Sequence, residues 1–159
     1  MVKREAYFST HPIRSDTIYI QTKELAMTAN AKVLVTGKTH VTAGPNGAAR
    51  SRDGFLDVKL PQPHPAAENL FAAAWSACYI GAIQLAAGQR KIKLASEPEV
   101  DAEIDLNQAG SAFFLSARLN VHVPGVEREV AQELIEAAHG ICPYSKAVHG
   151  NIDVTTTLV

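Results

Sequence analysis

The chain has 159 residues, a formal net charge of −1, 47% hydrophobic residues and two cysteines. That length fits one domain able to bury a real core, and that hydrophobic share excludes a disordered chain. A near-neutral balance with no basic cluster argues against nucleic acid or an anionic membrane surface as partner. Two cysteines are too few for a disulfide-scaffolded secreted domain.

Residues 1–29 read as an N-terminal extension, mixed and polar, with Pro12 and one short strand candidate at Ile18-Tyr19-Ile20. An alternative is that translation starts at Met27. The N-terminus lacks the apolar middle of a secretory signal, and no uninterrupted apolar run approaches the roughly 20 residues of a membrane span. A cytoplasmic location is therefore expected. Residues 30–159 read as one domain.

From Lys32 to Thr42 the β-branched pattern predicts a strand, and Gly44-Pro45-Asn46-Gly47 is turn chemistry. A second strand is expected near Ala48–Arg52, a turn at Asp53-Gly54 and a third strand over Phe55–Leu60, together an antiparallel meander. Pro61, Pro63 and Pro65 then end the sheet.

The central stretch follows, an Ala-rich apolar run over Ala66–Gln89 that predicts one long helix. Pro65 suits its start, and Glu68 lies where the helix dipole favours an anion. At about 100° per residue, Phe71, Trp75 and Cys78 share one face, while Leu70, Ala74 and Ala77 fill other sides. A helix apolar nearly all round is usually buried, so this is the expected core helix, and it carries a thiol.

Beyond it, Pro98–Asn107 and Phe113–Val123 alternate as two strands of a hairpin turning at Gln108-Ala109-Gly110-Ser111. Val126, Val130, Leu134, Ala137 and Ile141 recur at helical spacing opposite Glu127, Arg128, Glu129 and Glu133. A short helix is expected to begin at Cys142-Pro143, and a last strand covers Asn151–Val159. The order gives an α+β fold with mostly antiparallel sheets around a buried central helix.

Cys78 and Cys142 are the groups with chemistry to offer. Two inert buried thiols are a common outcome, since free cysteine is among the most buried residue types. Against that, Cys142 stands at a helix start, where unpaired N–H groups stabilise a thiolate. Two thiols are also the minimum set for a reversible disulfide. His139, three residues before Cys142, raises a Cys–His pair as a further arrangement, although such a histidine is more often on the surface. The six histidines show no short ligand spacing, so no zinc site is expected.

The run Glu68-x-Leu-Phe-Ala-Ala-x-x-x-Ala-Cys78, the segment Ser51-x-Asp53-Gly54-x-Leu56-Asp57-Val58 and the tail Cys142-Pro143-Tyr144-Ser145-x-Ala147-x-x-Gly150-Asn151-Ile152-Asp153-Val154 resemble the organic hydroperoxide resistance (Ohr) branch of the Ohr/OsmC family. The resemblance spans about Lys32 to Val159. It implies an Ohr/OsmC-like fold, an intertwined homodimer and a thiol peroxidase needing no metal or haem. Cys78 would be the peroxidatic residue and Cys142 the resolving one, closing a Cys78–Cys142 disulfide that a small lipoyl-type dithiol reopens. Glu68 matches the family's catalytic glutamate.

The family pairs that glutamate with an arginine in the turn after its first strand, and Pro45 stands at that position here. Arg50 and Arg52 are the nearby substitutes, although each reads first as a solvated surface arginine. Glu68 lies about 15 Å from Cys78 along a straight helix. Their meeting therefore requires an interrupted helix or a site composed across a homodimer. Three functional expectations result: an organic hydroperoxide reductase, a family member that binds a small lipophilic ligand without turnover, and a cysteine hydrolase using Cys78 and a histidine.

Overall fold

The computed structural model describes residues 31–60 and 66–159. The N-terminal extension, the strand expected at Ile18–Ile20 and the three prolines of residues 61–65 lie outside the described residues. From His40 to Val159 the chain forms one compact unit. Its elements are β1 (Thr39–Thr42), β2 (Ala48–Ser51), β3 (Asp57–Lys59), α1 (Ala66–Gln89), β4 (Glu99–Ala109), β5 (Ala112–His122), α2 (Arg128–Ile141), α3 (Pro143–Val148) and β6 (Asp153–Leu158). This is the expected α+β order.

The first sheet has the order β1-β2-β3. β2 and β3 run antiparallel, with Ala48 opposite Lys59 and Arg50 opposite Asp57. At the β1–β2 turn the Gly47 N–H donates to the Gly44 carbonyl at 2.9 Å, and Pro45 occupies the position whose φ proline pre-sets. The β2–β3 turn is locked by side chains. The Asp53 carboxylate accepts from the Phe55 N–H at 3.1 Å and from the Ser51 hydroxyl, while Ser51 Oγ accepts from the Leu56 N–H at 2.9 Å. The hydrogen bond from Ser51, then that from Phe55, hold the Asp53 carboxyl below its ordinary pKa.

The first strand is shorter than its composition predicts. Residues 31–38 have no regular structure, and Val33, Leu34 and Val35 are exposed. A β-branched run becomes a strand only where a neighbour completes the ladder, and residues 31–38 pair with none of the described residues.

The second sheet has the order β4-β5-β6. β4 and β5 form an antiparallel hairpin, from Glu99 opposite His122 to Ala109 opposite Ala112. Its two-residue turn puts Gly110 at φ 59°, which glycine adopts freely. β6 lies parallel to β5, with Ser116 opposite Asp153, so this sheet is mixed rather than antiparallel throughout. Parallel neighbours need a crossover, and α2 and α3 supply it.

α1 matches the predicted bounds and packs on α2 and β4. Trp75, Tyr79, Ala82, Ile83, Ala86 and Ala87 enter a core with Leu119, Val121, Leu134, Ile135 and Ala138. The other side of α1 is exposed along Ala73, Ala77, Gly81 and Leu85. Burial is thus one-sided within this chain, where the sequence predicted burial all round. By length and composition alone Ala67–Gln89 would also suffice to cross a membrane. Its packed face instead supplies the core of the domain.

The C-terminus of α1 closes with a paired cap. The Ile92 N–H reaches the Ala87 carbonyl at 2.9 Å and the Lys91 N–H reaches that of Gly88 at 3.1 Å. These are the two bonds of a Schellman motif, and they put Lys91 at φ 57° in the position that usually takes glycine. Lys91→Gly is expected to stabilise the protein by about 0.5–1 kcal/mol, because relief of the left-handed strain exceeds the added freedom of the unfolded chain. Urea denaturation of the two proteins checks it, and an unchanged or lowered midpoint would refute it.

Candidate functional site

α1 carries Cys78 half-buried on the edge of its packed face, one turn after Trp75. α2 ends at Ile141, and Cys142 joins it to α3. Cys142 closes one helix and opens the next. Its N–H donates to the Ala138 carbonyl at 2.8 Å, and its extended backbone makes it the N-cap of α3, with Pro143 in the first turn. The sequence predicted this helix start correctly.

The two sulfurs are 64 residues apart in the chain and 3.4 Å apart in space, with the Cys142 thiol donating to Cys78. Both are free thiols, Cys142 fully buried and Cys78 partly open. A disulfide places its sulfurs about 2.05 Å apart, so closure needs an approach of only about 1.4 Å. Burial pushes the Cys78 thiol above its ordinary pKa, and the neighbouring Cys142 adds to that rise. The backbone N–H of Tyr144 pulls it down.

Polar side chains surround the pair, Tyr79 and Thr156 among them without having stood out in the sequence. The Trp75 indole N–H donates to Ser145 Oγ at 2.9 Å. Ser145 Oγ lies 3.2 Å from His139 Nδ1, and His139 Nε2 lies 3.0 Å from Thr156 Oγ1 on β6. The Ser145 backbone N–H points at Cys142 Sγ at 3.5 Å. Tyr79 stacks on the His139 ring with centroids 4.6 Å apart and donates its hydroxyl to the Ile135 carbonyl at 2.5 Å. Burial, then the charge of His149, holds His139 below the usual histidine pKa. No buried side-chain nitrogen or oxygen among the described residues lacks a partner. Some of this was visible as spacing: Trp75 precedes Cys78 by three residues, as His139 precedes Cys142. Nothing in the sequence pointed to Thr156.

Several expectations are corrected. His139 makes no Cys–His pair, because both of its ring nitrogens are engaged with hydroxyls. It is not a surface residue either, but half-buried between α2, α3 and β6. That geometry leaves His139 no free ring nitrogen to serve a cysteine hydrolase. α1 is unbroken from Ala66 to Gln89, so no interruption folds Glu68 back onto Cys78. Glu68 sits half-buried in the first turn, about 15 Å along the helix axis from the thiol. Arg50 forms an ion pair with Asp57 across β2 and β3 at 3.0 Å, on an exposed surface. Arg52 is exposed in the turn after β2. Pro45 lies in the first turn, and its side chain has no charge to offer a thiolate.

Comparison with known proteins adds to this geometry. The family model of OsmC-like proteins matches residues 60–157. An organic hydroperoxide resistance protein of Xanthomonas axonopodis pv. citri is 40% identical over 141 residues, covering 83% of this chain and 99% of that relative. The crystal structure of the organic hydroperoxide resistance protein OhrB of Bacillus subtilis superposes with a TM-score of 0.72 at 35% identity, covering 80% of this chain and all of that one. An organic hydroperoxide resistance protein from Elizabethkingia anophelis gives a TM-score of 0.73 at 38% identity, covering 80% of this chain and 98% of that one.

Proposed function

Because the chain belongs to the OsmC-like family, in its organic hydroperoxide resistance branch, we propose that it is a thiol peroxidase that reduces alkyl or fatty-acid hydroperoxides to alcohols. The observation that carries the reading is the 3.4 Å separation of two free thiols, one partly open and one buried. Cys78, the accessible sulfur, attacks the distal peroxide oxygen as its thiolate. The O–O bond breaks, the alkoxide takes a proton and leaves as the alcohol, and Cys78 becomes a sulfenic acid. Cys142 then attacks that sulfur, and the S–O bond breaks. Hydroxide leaves as water with the Cys142 proton, and a Cys78–Cys142 disulfide closes. A lipoyl-type dithiol exchanges with it, is oxidised to its own disulfide and restores both thiols. Phe71, partly open and on the same face of α1 as Cys78, suits a substrate with a hydrocarbon tail.

The raised pKa of Cys78 sets a requirement. At neutral pH a buried thiol without a cation is mostly protonated, and the thiolate is the nucleophile. In this reading a second copy of the chain completes the site, bringing Glu68 and an arginine to Cys78 from across a homodimer. The exposed apolar side chains along α1, with Phe113 and Phe114 on β5, support such an assembly. In the same reading the protein works in the cytoplasm, where dithiol reductants operate.

Of the two arginines near the first turn, Arg50 pairs with Asp57, which leaves Arg52 as the candidate cation. An opposite charge near a thiolate shifts its pKa by about 1–3 units. Arg52→Ala is therefore expected to move the pH profile of Cys78 alkylation by iodoacetamide to higher pH and to slow turnover roughly tenfold or more. Arg50→Ala should change neither. Equal profiles for Arg52→Ala and wild type would remove Arg52 from the site.

The deciding test is turnover of cumene or fatty-acid hydroperoxide with dihydrolipoamide. Turnover that vanishes in Cys78→Ser supports the peroxidase. Negligible turnover in the wild type, with both thiols free, overturns it and puts the ligand-binding reading in its place.

A further inference from the structure

We propose that His139 is a positioning residue for disulfide closure, acting on Cys142 through Ser145. The inference rests on the pairing of the two thiols in the proposed function and goes beyond it by naming what holds the second thiol ready.

Donor and acceptor inventory fixes the direction of the relay. An indole N–H can only donate, so Ser145 Oγ accepts from Trp75. A hydroxyl can accept twice, but its one proton also needs an acceptor in a buried site, and among the described residues His139 Nδ1 is the one within reach, at 3.2 Å. Nδ1 is therefore the bare nitrogen and Nε2 carries the hydrogen, which it donates to Thr156 Oγ1 at 3.0 Å. Burial favours this neutral ring. Thr156, held in β6 opposite Leu119, accepts that hydrogen and so anchors the far side of the His139 ring.

Ser145 is 5% exposed, so its hydroxyl cannot trade His139 for bulk water. Its side chain is pinned between α1 and α2, and its backbone N–H fixes the Cys142 sulfur from within the first turn of α3. Trp75 and Cys78 sit one turn apart on α1. The relay therefore ties Cys142 to the same helix that carries its partner sulfur. Loss of His139 leaves the Ser145 proton without an acceptor in a dry site. The serine then rotates, and the α3 turn loses the register that keeps the sulfurs 3.4 Å apart.

Ellman's reagent tests this without any peroxide. The Cys78 thiolate attacks the aromatic disulfide, releasing one coloured thiolate and leaving a mixed disulfide on Cys78. Cys142 then attacks the Cys78 sulfur, releases the second coloured thiolate and closes the protein disulfide, its proton passing to buffer. The second phase is first order and independent of reagent concentration, and Cys142→Ser abolishes it.

In His139→Leu the second phase is expected to slow about tenfold or more, with the first phase within about twofold of wild type. His139→Asn places an amide oxygen near the Nδ1 position and is expected to restore most of the rate. Thr156→Val, which removes the hydroxyl that anchors the ring at nearly constant volume, should slow the second phase about threefold, and it carries the test if the leucine variant does not fold. An unchanged second phase in His139→Leu or Thr156→Val overturns the proposal. So does an asparagine variant as slow as the leucine one, which would mean that the ring serves only as packing.

The outcomes also separate this inference from the function. Closure that depends on His139 in a protein that does not turn over peroxide refutes the peroxidase and upholds the positioning role. Peroxide turnover with closure indifferent to His139 does the reverse. A wild type with no second phase refutes both.

Discussion

Cys142→Ser is expected to stop the protein after one turnover. One equivalent of alcohol should form at a rate within a few-fold of wild type, because peroxide meets Cys78, the more open of the two sulfurs. The steady state should then fall by about a hundredfold or more. Cys142 is held 3.4 Å from Cys78 in a fully buried position, and such neighbours act at effective concentrations that external thiols do not reach. The stalled species is a Cys78 sulfenic acid, readable by mass spectrometry as a dimedone adduct. Cys78→Ser should give neither adduct nor alcohol. Steady turnover by Cys142→Ser at the wild-type rate would show that the dithiol reduces the sulfenic acid directly, and Cys142 would lose its resolving role.

The parts of the molecule legible in the sequence are those fixed by local chemistry. α1 could be bounded because an Ala-rich run without proline extends from Ala66 to Gln89 after Pro65. The β4–β5 hairpin was legible from its alternation and its Gly110 turn. Cys142 could be placed at a helix start because Pro143 cannot continue the preceding helix. What the sequence misjudged depends on neighbours. Val33-Leu34-Val35 has strand composition, but it takes up no regular structure. The direction of β6 was left open, since nothing in Asp153–Leu158 encodes that its neighbour runs parallel. The uniform apolarity of α1 hid the fact that only one side is buried in this chain.

The site was legible to a similar limit. The two cysteines stood out by scarcity and by the motifs around them, but their separation of 3.4 Å is a tertiary fact. The relay behind them joins residues 70 positions apart at Trp75 and Ser145, and 17 apart at His139 and Thr156. Each of these residues has an ordinary structural role available, so composition gave no reason to group them. The missing arginine is the opposite case. The sequence shows at once that Pro45 brings no charge, and the geometry adds that Arg50 is already paired with Asp57.

Trp75→Ala is expected to cost about 3–5 kcal/mol of stability. Trp75 is fully buried, packs its ring 5.7 Å from that of Phe71 and donates its only hydrogen bond to Ser145. Truncation removes a large apolar group and opens a cavity between α1 and α3. Such a loss is a large part of the 5–15 kcal/mol that holds a typical domain folded. Trp75→Phe separates packing from hydrogen bonding. Phenylalanine keeps most of the apolar contact, and Ser145 keeps His139 as its acceptor, so the cost should fall to about 1–2 kcal/mol. Urea denaturation gives both values. The phenylalanine variant should remain folded at room temperature while its Ellman second phase slows, because the serine has lost the tie to the helix that carries Cys78. Equal stability losses in the two variants would mean that the indole N–H, not the ring volume, dominates at this position. A folded Trp75→Phe with unaltered closure would show that α2 alone, through His139, holds Ser145 in place.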